Sequence, residues 1–177
     1  EAELEEYSSN YETDTMLSQY AEFHYGDEYL NVANFPKALA ELAIEMMAGK
    51  EMKKALDLGC SVGRASFELA KHFKQVTGID FSARLINLGT QMAEQGVVRY
   101  TITDEGELVH YNERRLDQLG LEDTAAKVEF LQGDACNLKP IFREYDLILA
   151  ANLIDRLYKP AQFLATVHER LNQNGLL

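Results

Sequence analysis

A short apolar run that ends on an acid, turns on two glycines and enters a helix leaves few folds open. Residues 55–70 read ALDLGCSVGRASFELA. The pattern predicts the end of a strand over 55–58, a tight turn from Gly59 to Gly63, and a helix over 64–73. The same alternation continues downstream. Strands are expected over 76–79, 128–131 and 146–150. Ser82 caps a helix that runs to Gln95 and stops at Gly96. Pro160 opens a helix expected to stop near Asn174 and Gly175. Strands alternating with helices close into a parallel sheet through right-handed crossovers. The fold class read here is α/β: a Rossmann-like, open, mostly parallel sheet with helices on both faces.

Three segments depart from the repeat. Residues 97–111, VVRYTITDEGELVHY, read as an inserted hairpin turning at Asp104, Glu105 and Gly106. Leu176 and Leu177 read as the start of a fifth strand, so further C-terminal strands are expected beyond residue 177. The first 33 residues carry Tyr11, Tyr20, Phe23, Tyr25 and Tyr29 and are expected to form a helical lid. After them Asn34 reads as an N-cap with Pro36 in the first turn. Phe35, Leu39, Leu42, Ala43, Met46 and Met47 then share one face, and Gly49 closes the helix. The 177 residues are expected to form a single domain.

The turn limits its ligand. A dinucleotide fingerprint aligned on Gly59 needs glycine at positions 61 and 64, so that the backbone can approach a pyrophosphate. Ser61 and Arg64 stand there, and the second glycine is Gly63. Asp57 beside the turn further disfavours an anion. Asp57, Asp80 and Asp134 each fall at a predicted strand end, and in an open parallel sheet such ends converge on one crevice. Three carboxylates suit a cation rich in donors. Asp80 lies about 20 residues past Gly59, where an acid grips ribose hydroxyls. S-adenosylmethionine meets these demands, with its adenine, ribose, ammonium and sulfonium.

Composition excludes other classes. With 29 acidic and 17 basic residues the net charge is −12, which opposes phosphate neutralisation and excludes a nucleic-acid binder. It also opposes an anionic membrane surface. No apolar run approaches the roughly 20 residues of a membrane span. The acidic start, with Glu1, Glu3, Glu5 and Glu6, is unlike a targeting peptide. Cys60 and Cys136 are read as small packing residues, not nucleophiles, and as reduced thiols of a cytoplasmic protein. The four histidines are scattered, so no metal is expected.

LDLGCSVGR, VTGIDFS, FLQGDA and YDLILAANLI follow one another in order. Together they resemble the class I S-adenosylmethionine-dependent methyltransferases. NYETDTMLSQYAEFHYG, GCSVGRASFELA, TDEGEL and GDACNLKP with YDLILAANLIDRL are similar to a narrower group, the C-terminal methyltransferase domain of the ovothiol-biosynthesis enzymes. That second likeness runs from about Tyr11 to the last residue. It implies methylation of an imidazole nitrogen of a mercaptohistidine. It also implies that this domain can belong to a longer chain with an iron-dependent sulfoxide synthase half, nothing of which is present here. The generic family carries glycine where Ser61 stands.

The resemblance assigns roles by position. Gly59, Cys60 and Gly63 form the cofactor turn, and Ser61 offers its N–H and hydroxyl to the methionine carboxylate. Asp57 reaches the ammonium and Asp80 the ribose. Phe81 stacks near adenine, whose edge meets Asp134 and the Ala135 backbone. Asn152 faces the methyl side. For the acceptor, a small molecule, the expected contacts are Tyr11, His24, Tyr25, Glu105 and Arg156. His24, Tyr25 and Asn152 are the catalytic candidates, His24 as a base. Two other readings stay open: a methyltransferase acting on another metabolite, and a module that binds S-adenosylmethionine without turnover.

Overall fold

The computed structural model describes residues 14–106 and 108–177. Tyr11 therefore lies outside the described residues. The chain begins with helix α1 (Asp14–Tyr25) and helix α2 (Phe35–Met46). Strand β1 (Lys54–Leu58), helix α3 (Arg64–Leu69), strand β2 (Gln75–Asp80) and helix α4 (Ala83–Gln95) follow. Next come the hairpin strands β3 (Val97–Thr103) and β4 (Val109–Arg115). Strand β5 (Val128–Gln132), strand β6 (Tyr145–Leu149), helix α5 (Pro160–Thr166) and strand β7 (Leu171–Leu176) complete it.

Five strands form one parallel sheet in the order β5-β2-β1-β6-β7. β1 is central, and Ala55–Leu58 are all buried, as expected for a strand covered on both faces. Alternation along it assigns the layers. Ala55 packs with α2 and α3 through Ala40, Ala43, Met47, Leu69 and Phe73. Leu56 and Leu58 pack on the other face with Phe163 and Val167. Asp57 shares the parity of Ala55 and so faces α3.

The local signals at helix starts match the structure. Asn34 accepts from Lys37 N–H at 3.1 Å, and Ser82 Oγ accepts from Leu85 N–H at 3.3 Å. Gly96 ends α4 with φ +69°. Three expectations need correction. The helix after the turn ends at Leu69, not residue 73. The helix from Pro160 ends at Thr166 and passes through a 3₁₀ turn, Val167–Arg170, into β7. Asn174 and Gly175 thus sit within a strand, whose register against β6 shifts between Tyr145 and Leu147. The third concerns α2. Its core side is Ala40, Ala43 and Met47, whereas Phe35, Leu42 and Met46 are exposed.

The inserted hairpin forms its own two-stranded sheet and reaches Arg115. It joins α1 and α4 in one apolar cluster with Ala21, Tyr25, Met92, Val98 and Tyr100. Glu22 on α1 accepts from Tyr100, from Asn112 at 3.2 Å and from Tyr29 at 2.6 Å. Among the described residues no helix is long and apolar enough to cross a membrane.

Candidate active site

Successive connections leave β1 in one direction and β6 in the other, so the crevice opens between their carboxyl ends. A cavity of about 880 Å³ lies there. Asp57, Asp80 and Asp134 all border it.

The turn after β1 is built on left-handed residues: Gly59 at φ +73°, Ser61 at +53° and Gly63 at +91°. Gly59 and Cys60 donate their N–H groups to Ile79 O, tying the turn to β2. Gly63 does not border the cavity. A Cβ there would sit 2.2 Å from Phe130 Cζ, so its lack of a side chain serves packing as well as the turn. Ser61 departs from expectation. Its N–H donates to Asp80 Oδ2 at 2.9 Å and is not free for a ligand. Its buried hydroxyl has no partner among the described residues. A buried hydroxyl beside a crevice is costly until something bonds it.

Asp57 is 3% exposed and accepts from Ser66 Oγ at 2.6 Å. Burial raises its pKa to about 6, with the Asp80 charge adding to the rise and the Ser66 bond opposing it. Asp80 closes β2 and accepts from Ser61 and Ser82 N–H groups, both at 2.9 Å. Burial raises its pKa, and those backbone bonds oppose the rise. Asp134 caps the 3₁₀ turn Ala135–Asn137, accepting from Cys136 N–H at 2.8 Å. Its other oxygen accepts from Tyr158 at 2.7 Å, a bond that pushes the phenol up to about 12. Ala135 borders the cavity, and Phe81 presents a half-exposed ring to it.

The expected acceptor residues divide. Asn152, held at φ +50°, borders the cavity. So does Arg156, whose Nε lies 3.2 Å from Asp155. Tyr25 does not border it; the ring is buried and donates to Val62 O in the core. Glu105 sits exposed at the hairpin turn and does not border it either. His24 borders the cavity, but not as a base. Its Nδ1 accepts from Arg64 N–H at 3.3 Å, so the lone pair is committed. Burial and then the Arg64 charge lower its pKa to about 3. Cys60 borders the cavity as a buried thiol, pushed up first by burial and then by Asp57 and Asp80, so no thiolate nucleophile forms. Among the described residues no cluster of acids, histidines and cysteines is arranged to hold a metal.

Several wall residues stand outside the sequence expectations. Phe23 and Phe35 stack with centroids 6.1 Å apart at 29° and border the cavity with Tyr20. Tyr20 and His24 stand four apart on α1, a spacing that could have marked a shared face. Ser66 and Tyr158 carried no sequence signal, because their acid partners are chosen by the fold.

The family model for the "Methyltransferase domain" matches residues 56–177. The chain belongs to that family. Its cofactor is S-adenosylmethionine, and the site fits this group: three acids converge on one crevice, an exposed ring flanks them, and the Ser61 hydroxyl awaits a partner. The methyltransferase domain is 27% identical over 158 residues to a malonyl-[acyl-carrier protein] O-methyltransferase of Halalkalibacterium halodurans, covering 84% of this chain and 48% of the relative. It is 26% identical over 134 residues to a ubiquinone biosynthesis O-methyltransferase of Coxiella burnetii, covering 76% and 45%. The chain thus spans about half the length of the curated relatives it matches. In structure it is similar to the [4+2]-cyclase SpnF, with TM-score 0.64, 18% identity, and 96% of this chain and 57% of that one covered. An S-adenosylmethionine-dependent methyltransferase of Clostridium acetobutylicum gives TM-score 0.55 and 19% identity, covering 82% and 49%. At such identities these likenesses establish the methyltransferase domain's fold and not its substrate.

Proposed function

We propose that the domain methylates an imidazole ring nitrogen of a mercaptohistidine. The observation that carries this reading is the platform of Phe23 and Phe35 beside the acid trio, with the neutral ring of His24 at its edge. Such a wall favours a flat heteroaromatic ring over a chain or a polyanion. The ovothiol-type motifs at 10–26 and 133–157 support the same acceptor.

When bound, the cofactor supplies a methyl group on a positively charged sulfur. The protein's residues hold and align. Asp57 takes the ammonium, the Ser61 hydroxyl the carboxylate, and Asp80 the ribose hydroxyls. Phe81 and the Ala135 backbone flank adenine, and Asp134 accepts from its exocyclic amine. Asn152 lies on the methyl side, and Arg156 reads the acceptor's carboxylate. Alignment is the main demand of an in-line displacement, and a neutral ring nitrogen needs no activated group on the enzyme.

The relatives' O-methyltransferase names support a second reading, methylation of an oxygen on another small metabolite. Incubation with S-adenosylmethionine and mercaptohistidine, followed by mass and NMR analysis, separates the two. The expected product is one methyl heavier at a ring nitrogen. Transfer to phenol or carboxyl acceptors alone favours the second reading. Cofactor binding by calorimetry without transfer to any acceptor points to a binding module.

A further inference from the structure

Resting on that acceptor, we infer that His24 selects the atom to be methylated, by donating a hydrogen bond from Nε2 to the acceptor's sulfur. A mercaptoimidazole offers two nucleophiles, a ring nitrogen and a thiolate. The thiolate is the more reactive toward a soft carbon electrophile. A site that methylates nitrogen must therefore restrain the sulfur.

The chain holds one ring at the crevice in a single tautomer. His24 Nδ1 accepts from Arg64 N–H at 3.3 Å. A neutral imidazole with one nitrogen accepting carries its proton on the other. His24 makes no other ring hydrogen bond among the described residues, and its Nε2 is not among the buried polar atoms left without a partner. The free N–H therefore has accessible surface, and the surface beside His24 is the crevice. Burial and the Arg64 charge keep the ring neutral, with a pKa of about 3, so it donates across the working pH range without acting as an acid.

The orientation is fixed from several sides. Arg64 Nη1 donates to His24 O at 3.3 Å, and Arg64 Nε is held by Glu68 at 2.8 Å. Phe23 packs edge-on against the imidazole at 5.5 Å and 73°. Asn34 Nδ2 donates to the same His24 carbonyl at 3.0 Å. One backbone amide thus sets the tautomer, and one ion pair sets the position.

A hydrogen bond to the thiolate lowers the energy of its lone pairs and holds them away from the methyl carbon. The ring nitrogen gives its lone pair to that carbon, and the pair of the broken C–S bond stays on sulfur as a neutral thioether. The ring keeps its remaining N–H, and the imidazolium so formed is balanced by its own thiolate. No proton has to leave, which is consistent with a His24 that is no base.

Two experiments test this. Wild type, His24→Leu and His24→Gln are each given S-adenosylmethionine and mercaptohistidine, and the N-methyl and S-methyl products are quantified. Loss of the donor in His24→Leu is expected to lower the N-to-S ratio about 10- to 100-fold, the size of a lost hydrogen bond to a charged group. His24→Gln, which keeps an acceptor and a donor, should restore it. An unchanged ratio in His24→Leu overturns the inference while leaving the acceptor intact. Absence of N-methyl product from wild type overturns the acceptor, and the inference falls with it. Nitrogen NMR of the wild type, assigned by difference from His24→Gln, needs no turnover. The expected spectrum shows a protonated Nε2 and a bare Nδ1 from pH 5 to pH 8; a protonated Nδ1, or a ring that titrates in this range, overturns the inference.

Discussion

At Asp57 two demands oppose each other: burial favours the neutral acid, and a cationic ligand favours the carboxylate. The folded side chain titrates near 6, against 3.8 for the free acid. Between those values the folded state keeps a proton that the unfolded chain has lost. Its contribution to stability is full below about pH 4, falls as pH rises toward 6, and is level above that. Ligand binding should run the other way, strengthening as the group ionises. Asp57→Asn is therefore expected to unfold at a higher temperature than wild type at pH 7, yet to bind S-adenosylmethionine more weakly and without the rise between pH 5 and 7. Calorimetry and thermal melts over that range read both effects. Asp80→Ala differs, because it removes the acceptor for two backbone N–H groups as well as the ribose contact. A loss of about 1–3 kcal/mol in cofactor affinity is expected, together with a lower melting temperature; equal affinity by titration would remove Asp80 from the ribose.

Elements α1 and α3 are joined by two hydrogen bonds from Arg64 to His24, and an ion pair within α3 holds Arg64 in place. Arg64 and Glu68 are 6% and 2% exposed, and Glu68 also accepts from Lys71 at 2.7 Å. Glu68→Ala leaves the Arg64 cation buried without its partner, and should cost about 3–5 kcal/mol in denaturant unfolding. The hairpin is tied to α1 differently, by Glu22 accepting from residues on both of its strands. Glu22→Ala should raise amide exchange across 97–115 while leaving β1 and β2 protected. Elements such as these were legible to different degrees. The starts of α2 and α4 are written locally in Asn34, Pro36 and Ser82, and a cap needs only its own turn. Strand β7 is not. LNQNGL has no alternation, and it becomes a strand only because β6 lies beside it. The three acids could be read because strand ends carry them to one place. The committed lone pair of His24, the exposed face of α2 and the withdrawal of Tyr25 into the core depend on which element packs where, and no local pattern encodes that.

Across the whole molecule one ring links four parts of the chain. Phe130 on β5 lies where a Cβ at Gly63 or Gly78 would stand, with approaches of 2.2 and 2.8 Å, and would be in van der Waals contact with a Cβ at Gly89 at 3.4 Å. Gly63→Ala alone meets both the ring and a φ of +91°, and should cost about 2–4 kcal/mol. In a Phe130→Ala background the steric share of that cost disappears. The double mutant should then be more stable than the two separate losses predict, a coupling that a thermodynamic cycle measures. The turn and the second strand are thus coupled through position 130: a smaller residue there takes the ring away from both, while alanine at 63 still carries the strain of its φ and alanine at 78 still meets Cys60 Sγ at 3.0 Å, so the order in which changes arrive decides which of them survive.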